Sequence, residues 1–165
     1  MRKFLIKRQK GVATVEFAIV GLVAFVILFG VLEVARMMFT LNMLQEATRR
    51  GARMAAVCTV DNPAIARAAI FNSSGSGTDS PIINGLTAAN IDVDYLDIAG
   101  NPVAGYAGGG AAYLSIQFVR VQIVNFRHQL IIPGLDISFT TRPYPTVMPI
   151  ESLGIPPVGQ STSCT

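Results

Sequence analysis

The sequence predicts an α+β fold in which a long N-terminal transmembrane and amphipathic helix is followed by a small antiparallel β-sheet head. Three observations support this prediction. Five of the first ten residues are cationic, and the run from Phe17 to Leu32 then carries no charge. The rest of the 165-residue chain alternates short apolar segments with glycine and proline, which is typical of strands and turns. One anchor helix and one head of about a hundred residues is the natural partition.

The apolar run is long enough to cross a bilayer. At about 1.5 Å per residue, 12–32 reaches roughly 30 Å, the thickness of the hydrocarbon core. We therefore predict a basic leader at 1–11 and a transmembrane helix at 12–32. Cations on the N-terminal side predict a cytoplasmic N-terminus and an extracytoplasmic chain after about Glu33. An ordinary secretory signal peptide fits poorly, because its apolar region is shorter and is followed by a small-residue cleavage site.

Glu16 is the unusual residue of the predicted span. A carboxylate inside a membrane helix costs on the order of 2.5 kcal/mol or more unless it protonates, reaches the surface or finds a cation. Cleavage after Gly11 would create a new α-amine on Val12, four residues before Glu16 and on the same helix face. That amine, or the amine of a neighbouring subunit, could neutralise the carboxylate.

The order of basic leader, glycine, four residues, Glu, Phe and apolar helix resembles the class III signal peptide of type IV pilins and pseudopilins. The stretch Gly11-Val-Ala-Thr-Val-Glu-Phe-Ala, with 29–36 and 44–53, is more closely similar to the TadE-like family. Members of that family are minor pseudopilins of bacterial tight-adherence systems, which build the Flp (type IVc) pilus. The resemblance covers about 11–57 of the chain. Phe17 and the long C-terminal part favour a minor subunit over the main pilin of the filament.

The resemblance implies a function and a set of partners. A prepilin peptidase would cut between Gly11 and Val12, while Lys7, Arg8 and Lys10 hold the leader in the cytoplasm. The mature chain would assemble into, or prime, a pilus for cell adhesion, together with other pilin and pseudopilin subunits. It would be a single-pass protein of the bacterial inner membrane that enters the extracellular pilus on assembly. The alternative is an uncleaved, single-pass envelope protein with an extracytoplasmic binding domain.

The helix is predicted to continue outside the membrane over 33–60. Apolar or small residues recur there at steps of three or four, as an amphipathic helix requires: Met37, Leu41, Leu44, Ala47, Gly51, Ala55 and Cys58. Within this stripe, Ala47, Gly51 and Ala55 form a small-residue series that lets another backbone approach closely. The stripe packs either on the head of its own chain or on another subunit, and the first is favoured because such stripes usually face a core.

The head is predicted to occupy 61–165. Asp61-Asn62-Pro63 ends the long helix, and a short helix over 64–71 and a flexible loop over 72–80 follow. Three strands are predicted, at 91–95, 113–124 and 135–141 with a turn at 133–134 before the last, and the tail over 149–165 is predicted to be irregular. The apolar phase changes within 113–124, which predicts a bulge near Phe118 and Val119 or burial on both faces. Pro143 and Pro145 are predicted to end the third strand.

Composition argues against several classes of function. Residues 1–11 contain five of the 13 Lys and Arg and no Asp or Glu. The rest of the chain has eight Lys and Arg against ten Asp and Glu, so the excess of positive charge lies in the leader. We therefore expect no nucleic-acid partner. His128 is the only histidine and stands in no recognisable catalytic or metal-binding motif, and Asp92 and Asp94 fit a solvated strand face better than a calcium site. We expect no enzyme, no cofactor and no metal.

The two cysteines, Cys58 and Cys164, allow one intramolecular disulfide. An extracytoplasmic head permits such a bond. A bond would tie the tail to the end of the long helix. The sequence leaves open the other arrangement, with a buried Cys58 and a free thiol in the tail, because it does not fix the distance between the two residues.

Overall fold

The computed structural model describes residues 11–73, 77–106, 110–131, 137–155 and 164. It confirms the predicted α+β class, a long N-terminal helix followed by a small antiparallel sheet. The elements in chain order are α1 (Val12–Val57), α2 (Pro63–Ala69), a 3-10 helix (Ala88–Asn90), β1 (Ile91–Leu96), α3 (Ala111–Leu114), β2 (Phe118–Ile123), β3 (Arg127–Gln129), β4 (Ser138–Thr140) and β5 (Tyr144–Pro149).

Helix α1 belongs to both the anchor and the head. It runs for 46 residues without a break at the predicted membrane boundary, and its sequence contains no proline. Its first half is exposed, whereas its second half buries one stripe of residues at helical spacing. The buried residues are Thr40, Leu44, Ala47, Thr48, Gly51, Ala52, Ala55 and Ala56. The head is therefore built directly on the outer half of the anchor helix.

The chain leaves α1 through caps that suit its sequence. Cys58 is extended, so α1 ends there. The Asn62 side chain accepts a hydrogen bond from the Ala64 N–H at 2.9 Å, and Pro63 occupies the first position of α2, where its missing N–H costs nothing. The predicted short helix is thus present, ending at Ala69. Of the predicted loop over 72–80, residues 74–76 lie outside the described part of the chain.

A three-stranded antiparallel sheet in the order β1-β2-β5 packs against α1. Central strand β2 buries Val119, Val121 and Ile123 and turns its alternate residues outward. On the outer face, Arg120 bonds Asp94 at 2.6 Å and Gln122 bonds Asp92 at 2.8 Å. These cross-strand pairs account for the two aspartates of the strand face.

The predicted strand over 113–124 is wrong in its first half. Residues 111–114 form the short helix α3, and Ile116 is buried in the segment that connects α3 to β2. Pairing of β2 with β1 and β5 is continuous from Phe118 to Ile123, so the predicted bulge at Phe118 and Val119 is absent. The change of apolar phase marks a change from helix and turn to strand.

The end of the sheet also differs from prediction. Strand β5 includes Pro145, which was predicted to end the third strand, and Pro149, the first residue of the tail that was predicted to be irregular. It lies at an edge of the sheet, where only one side pairs, so a residue without an N–H is tolerated. The predicted third strand is the short β4, which pairs with β3, a strand that was not predicted. The predicted turn at 133–134 lies outside the described residues.

The described part of the tail caps α1. Backbone N–H groups of Glu151 and Gly154 donate to the carbonyl oxygens of Ala56 and Val57 at 3.0 and 2.6 Å, and the Ser152 hydroxyl donates to Val57 at 3.0 Å. The last carbonyls of a helix have no partner within the helix. A segment almost a hundred residues further along the chain therefore closes the end of α1.

The burial of Tyr95 predicts that the free energy of unfolding falls at alkaline pH. Its ring is buried, its hydroxyl oxygen accepts the Asp61 N–H at 3.1 Å, and burial raises its pKa to about 12. An unfolded tyrosine ionises near pH 10, so this contribution is present below about pH 10 and is lost as pH rises through about 12. The chain has no lysine after Lys10, so tyrosines dominate titration of residues 11–165 in this range. We expect urea midpoints of the detergent-solubilised protein to fall between about pH 10 and 12.

The variant Tyr95→Phe is the control for this titration. It keeps the ring but cannot ionise, so its midpoint should fall less steeply over the same range. The pKa of Tyr106 is also raised, chiefly by burial, and leaves a residual slope in both proteins. Parallel curves for the two proteins would contradict the assignment to Tyr95.

Candidate functional site at the N-terminal half of α1 and its junction with the head

The predicted cleavage point lies at the first turn of α1. Gly11 is the N-cap residue, and its carbonyl oxygen accepts the Val15 N–H at 3.3 Å. A side chain at Gly11 would meet nothing within 4 Å. Val12 and Glu16 are exposed and stand one helical turn apart. The scissile bond of the predicted cut is thus on an open surface, and the leader residues Lys7, Arg8 and Lys10 lie outside the described residues.

The following turns of α1 form a long apolar surface. None of the most apolar stretch is buried by the other residues that the structure describes, and by length and composition it can cross a membrane. Large side chains such as Phe17, Leu22 and Phe25 are more than half exposed. An apolar helix that its own chain does not cover is suited to lipid or to other apolar helices.

The head first contacts α1 through a cluster at the end of the apolar run. Arg36 binds both carboxylate oxygens of Glu33, with an Nε to Oε2 distance of 3.2 Å, and also donates to the carbonyl oxygen of Gln129. His128 places Nε2 at 3.5 Å from Oε1 of Glu33. Side-chain exposure is 12% for Glu33 and 3% for His128. The cluster fixes β3 against the first turns of α1 beyond residue 32.

Electrostatics keep Glu33 ionised in this cluster. The hydrogen bond from Arg36 lowers the pKa of Glu33, and the Ile131 N–H and His128 act in the same direction, while burial opposes them. Sequence reasoning did not find this cluster. The spacing of Glu33 and Arg36, three residues apart on a helix, was a signal for the ion pair. The position of His128 was not accessible to such reasoning, because it depends on the tertiary fold.

The small-residue series packs inside the protein. Ala47, Gly51 and Ala55 are buried, and a Cβ built on Gly51 would lie 3.0 Å from Cγ1 of Val121 and 3.1 Å from Cβ of Ala69. The series therefore brings α1 close to β2 and α2, as the favoured alternative predicted. These residues are not free to contact another subunit in this arrangement.

Gly51→Leu should separate α1 from the head. The added side chain has no space between β2 and α2, so we expect a loss of roughly 3 kcal/mol in the free energy of unfolding. Urea unfolding of the detergent-solubilised protein, followed by near-ultraviolet circular dichroism, measures it. Gly30→Leu is the matched control, because a Cβ at Gly30 meets nothing within 4 Å. An equal effect of both substitutions would show that helix propensity, not packing, is responsible.

Cys58 and Cys164 are joined by a disulfide, with their Cα atoms 5.8 Å apart. This is the pairing that the sequence allowed but left open. Cys58 is buried at the end of α1, and Cys164 packs against the same core. The bond therefore holds the last described residue of the chain at the far end of the long helix.

Comparison with known proteins identifies the N-terminal part. Residues 11–53 match the model of the family described as TadE-like protein. No curated protein and no solved structure matches the chain significantly. The matched segment contains the predicted cleavage point, Glu16, the apolar surface, the Glu33 and Arg36 pair, and most of the stripe that packs on the head. Residues 11–53 of this chain are therefore similar to the TadE-like family.

Proposed function

We propose that the chain is a minor pseudopilin of a tight-adherence pilus, cleaved between Gly11 and Val12 and then assembled with other pilin subunits. The observation that carries the proposal is the start of α1, where Gly11, the exposed Val12 and the exposed Glu16 lie within a TadE-like segment. That family implies a role in tight-adherence systems and a helix that anchors the protein in a membrane. A prepilin peptidase, other pilin subunits and surface attachment are the finer parts of the proposal.

Two features of the geometry support assembly through α1. The apolar half of the helix extends beyond the head and is not covered by the described part of the chain, so it can leave lipid and pack among similar helices. After cleavage, the positive amine of Val12 would lie one turn from Glu16. A charge pair in an apolar bundle is favourable only when both partners are present, so this pairing can select correctly docked subunits. The role is structural and not catalytic.

The N-terminus of the membrane-extracted protein tests the proposal. We expect intact mass to show a chain that begins at Val12 in cells with an active prepilin peptidase and at Met1 in cells without one. Gly11→Leu should retain the leader and migrate as a larger band on an immunoblot, because the residue before the cut is changed. Gly30→Leu, the same substitution within the apolar surface, should be cleaved normally. A chain that begins at Met1 in every strain would favour the uncleaved envelope protein.

A further inference from the structure

A groove lies where the head meets α1, immediately beyond the apolar run. Its volume is about 590 Å³, and it is open to solvent. Arg36, Phe39 and Thr40 of α1 form one wall, and residues 82–85 and 126–131 form the others. The groove therefore begins about one helical turn after Leu32, at the level where a membrane-spanning segment would leave the hydrocarbon core.

The groove carries positive charge. Arg36 and Arg127 line it. Arg36 is paired with Glu33, whereas Arg127 is exposed and forms no ion pair with the residues that the structure describes. His128 also lines the groove, and its Nε2 lies 3.5 Å from Oε1 of Glu33. An arginine with no acidic partner at this level can bind a phosphate through its planar guanidinium.

Apolar side chains flank these cations. Ile131 is 68% exposed, and Ile137, whose carbonyl oxygen pairs with the Leu130 N–H, is 47% exposed. Arg127 and Ile131 both line the groove. The Ile131 N–H binds the carboxylate of Glu33, which fixes Ile131 beside the first charged turn of α1. Exposed isoleucines beside an arginine are typical of surfaces that enter the membrane interface.

We propose that this end of the head docks on the bilayer that holds α1. In the docked state, Arg127 binds the phosphate of an anionic phospholipid headgroup, and Ile131 and Ile137 enter the interfacial layer. Both the position of the groove at the end of the apolar run and an arginine that forms no ion pair with the described residues support a lipid occupant. The docking rests on membrane anchoring by α1 and is independent of the proposed pilus role.

Single tryptophans in the full-length protein test this docking. The natural chain has no tryptophan, so each variant carries a single tryptophan, which can be excited apart from the tyrosines. The vesicles contain phosphatidylcholine and phosphatidylglycerol with brominated acyl chains, which quench tryptophan on contact. Ile131→Trp reports the docking surface. Ile98→Trp is the matched control, because Ile98 is 78% exposed and lies at the other end of the head. It follows Tyr95 by three residues, and the Tyr95 hydroxyl contacts Asp61, just beyond the C-terminal end of α1. Phe25→Trp reports the anchor.

We expect quenching of Ile131→Trp to be several-fold stronger than quenching of Ile98→Trp and weaker than quenching of Phe25→Trp. Adding Arg127→Gln should reduce quenching of Ile131→Trp in vesicles that contain phosphatidylglycerol, and much less in phosphatidylcholine alone. Arg53→Gln, which removes an exposed arginine near the other end of α1, should have no effect.

Three outcomes would overturn the proposal. Equal quenching at positions 131 and 98, with strong quenching at 25, would leave the anchor in the membrane but the head undocked. A shift in Ile131→Trp emission that grows with the ratio of protein to lipid, without quenching by bromine, would assign the surface to a second copy of the chain. Absence of quenching at position 25 would remove the anchoring on which docking depends.

Discussion

Removal of the disulfide should lower the free energy of unfolding by about 4 to 5 kcal/mol, if the loss follows the chain-entropy relation for a loop of this length. Cys58 and Cys164 are separated by 106 residues, so their bond restricts nearly the whole unfolded head. The variant with both cysteines replaced by alanine carries no free thiol that could form a wrong bond. We expect its urea midpoint to fall far below that of the oxidised protein.

The measurement can be confined to the head. All four tyrosines, Tyr95, Tyr106, Tyr113 and Tyr144, follow α1, and tryptophan is absent. Tyrosine fluorescence and near-ultraviolet circular dichroism in detergent therefore report unfolding of the head. Reduced natural protein is the matched control, because its side chains differ from the oxidised form only at the two sulfurs. A difference below about 1 kcal/mol would contradict the entropic account and would mean that the unfolded chain retains structure around the bond.

Glu16→Ala should abolish incorporation into the pilus without preventing insertion or cleavage. The substitution makes the first turns of α1 more apolar, so membrane insertion is not weakened. It removes the only acid between Val12 and Leu32, and the amine of Val12 would then enter an apolar bundle without a partner. An uncompensated charge in such a site costs several kcal/mol, which is enough to exclude nearly all subunits from the filament.

Two fractions, membranes and sheared filaments, measure this effect in a strain that lacks the natural gene. Immunoblots of the membrane and of sheared filaments compare insertion with assembly, and intact mass of the membrane form reports cleavage. Glu46→Ala, which removes an exposed acid paired with Arg50 on the outer half of α1, is the control and should assemble normally. Glu16→Asp should restore part of the assembly, because it keeps the charge. Normal pili with Glu16→Ala would rule out the proposed pairing.

Features with a local cause were predictable from the sequence. The anchor follows from an uncharged run, and the buried stripe of α1 follows from spacing at three and four residues. Strand β1 was found because Ile91, Val93 and Tyr95 alternate with polar residues. The leader, the cut and the pairing of Glu16 are predictions that rest on the resemblance of the first third of the chain to one family.

Features that depend on which other segment of the chain a residue pairs or packs with were not predicted. Strand β5 contains two prolines, and only its position at the sheet edge permits them. Helix α3 was assigned to a strand, because Leu114 and Ile116 happen to continue an alternating pattern. The contact of His128 with Glu33 joins β3 to α1, and no pattern along a single sequence specifies a contact between residues so far apart in the chain.

The continuity of α1 has a mechanical consequence. A helix of 46 residues is about 69 Å long, and no proline interrupts it, so a pull on its membrane end is transmitted along its axis into the head. The load acts along the interface between α1 and strands β2 and β5. It therefore shears all contacts of this interface at once and does not separate them one after another. The sulfur bridge at the far end then passes tension covalently to the C-terminal tail. In the proposed pilus, this arrangement would resist traction through slow forced unfolding.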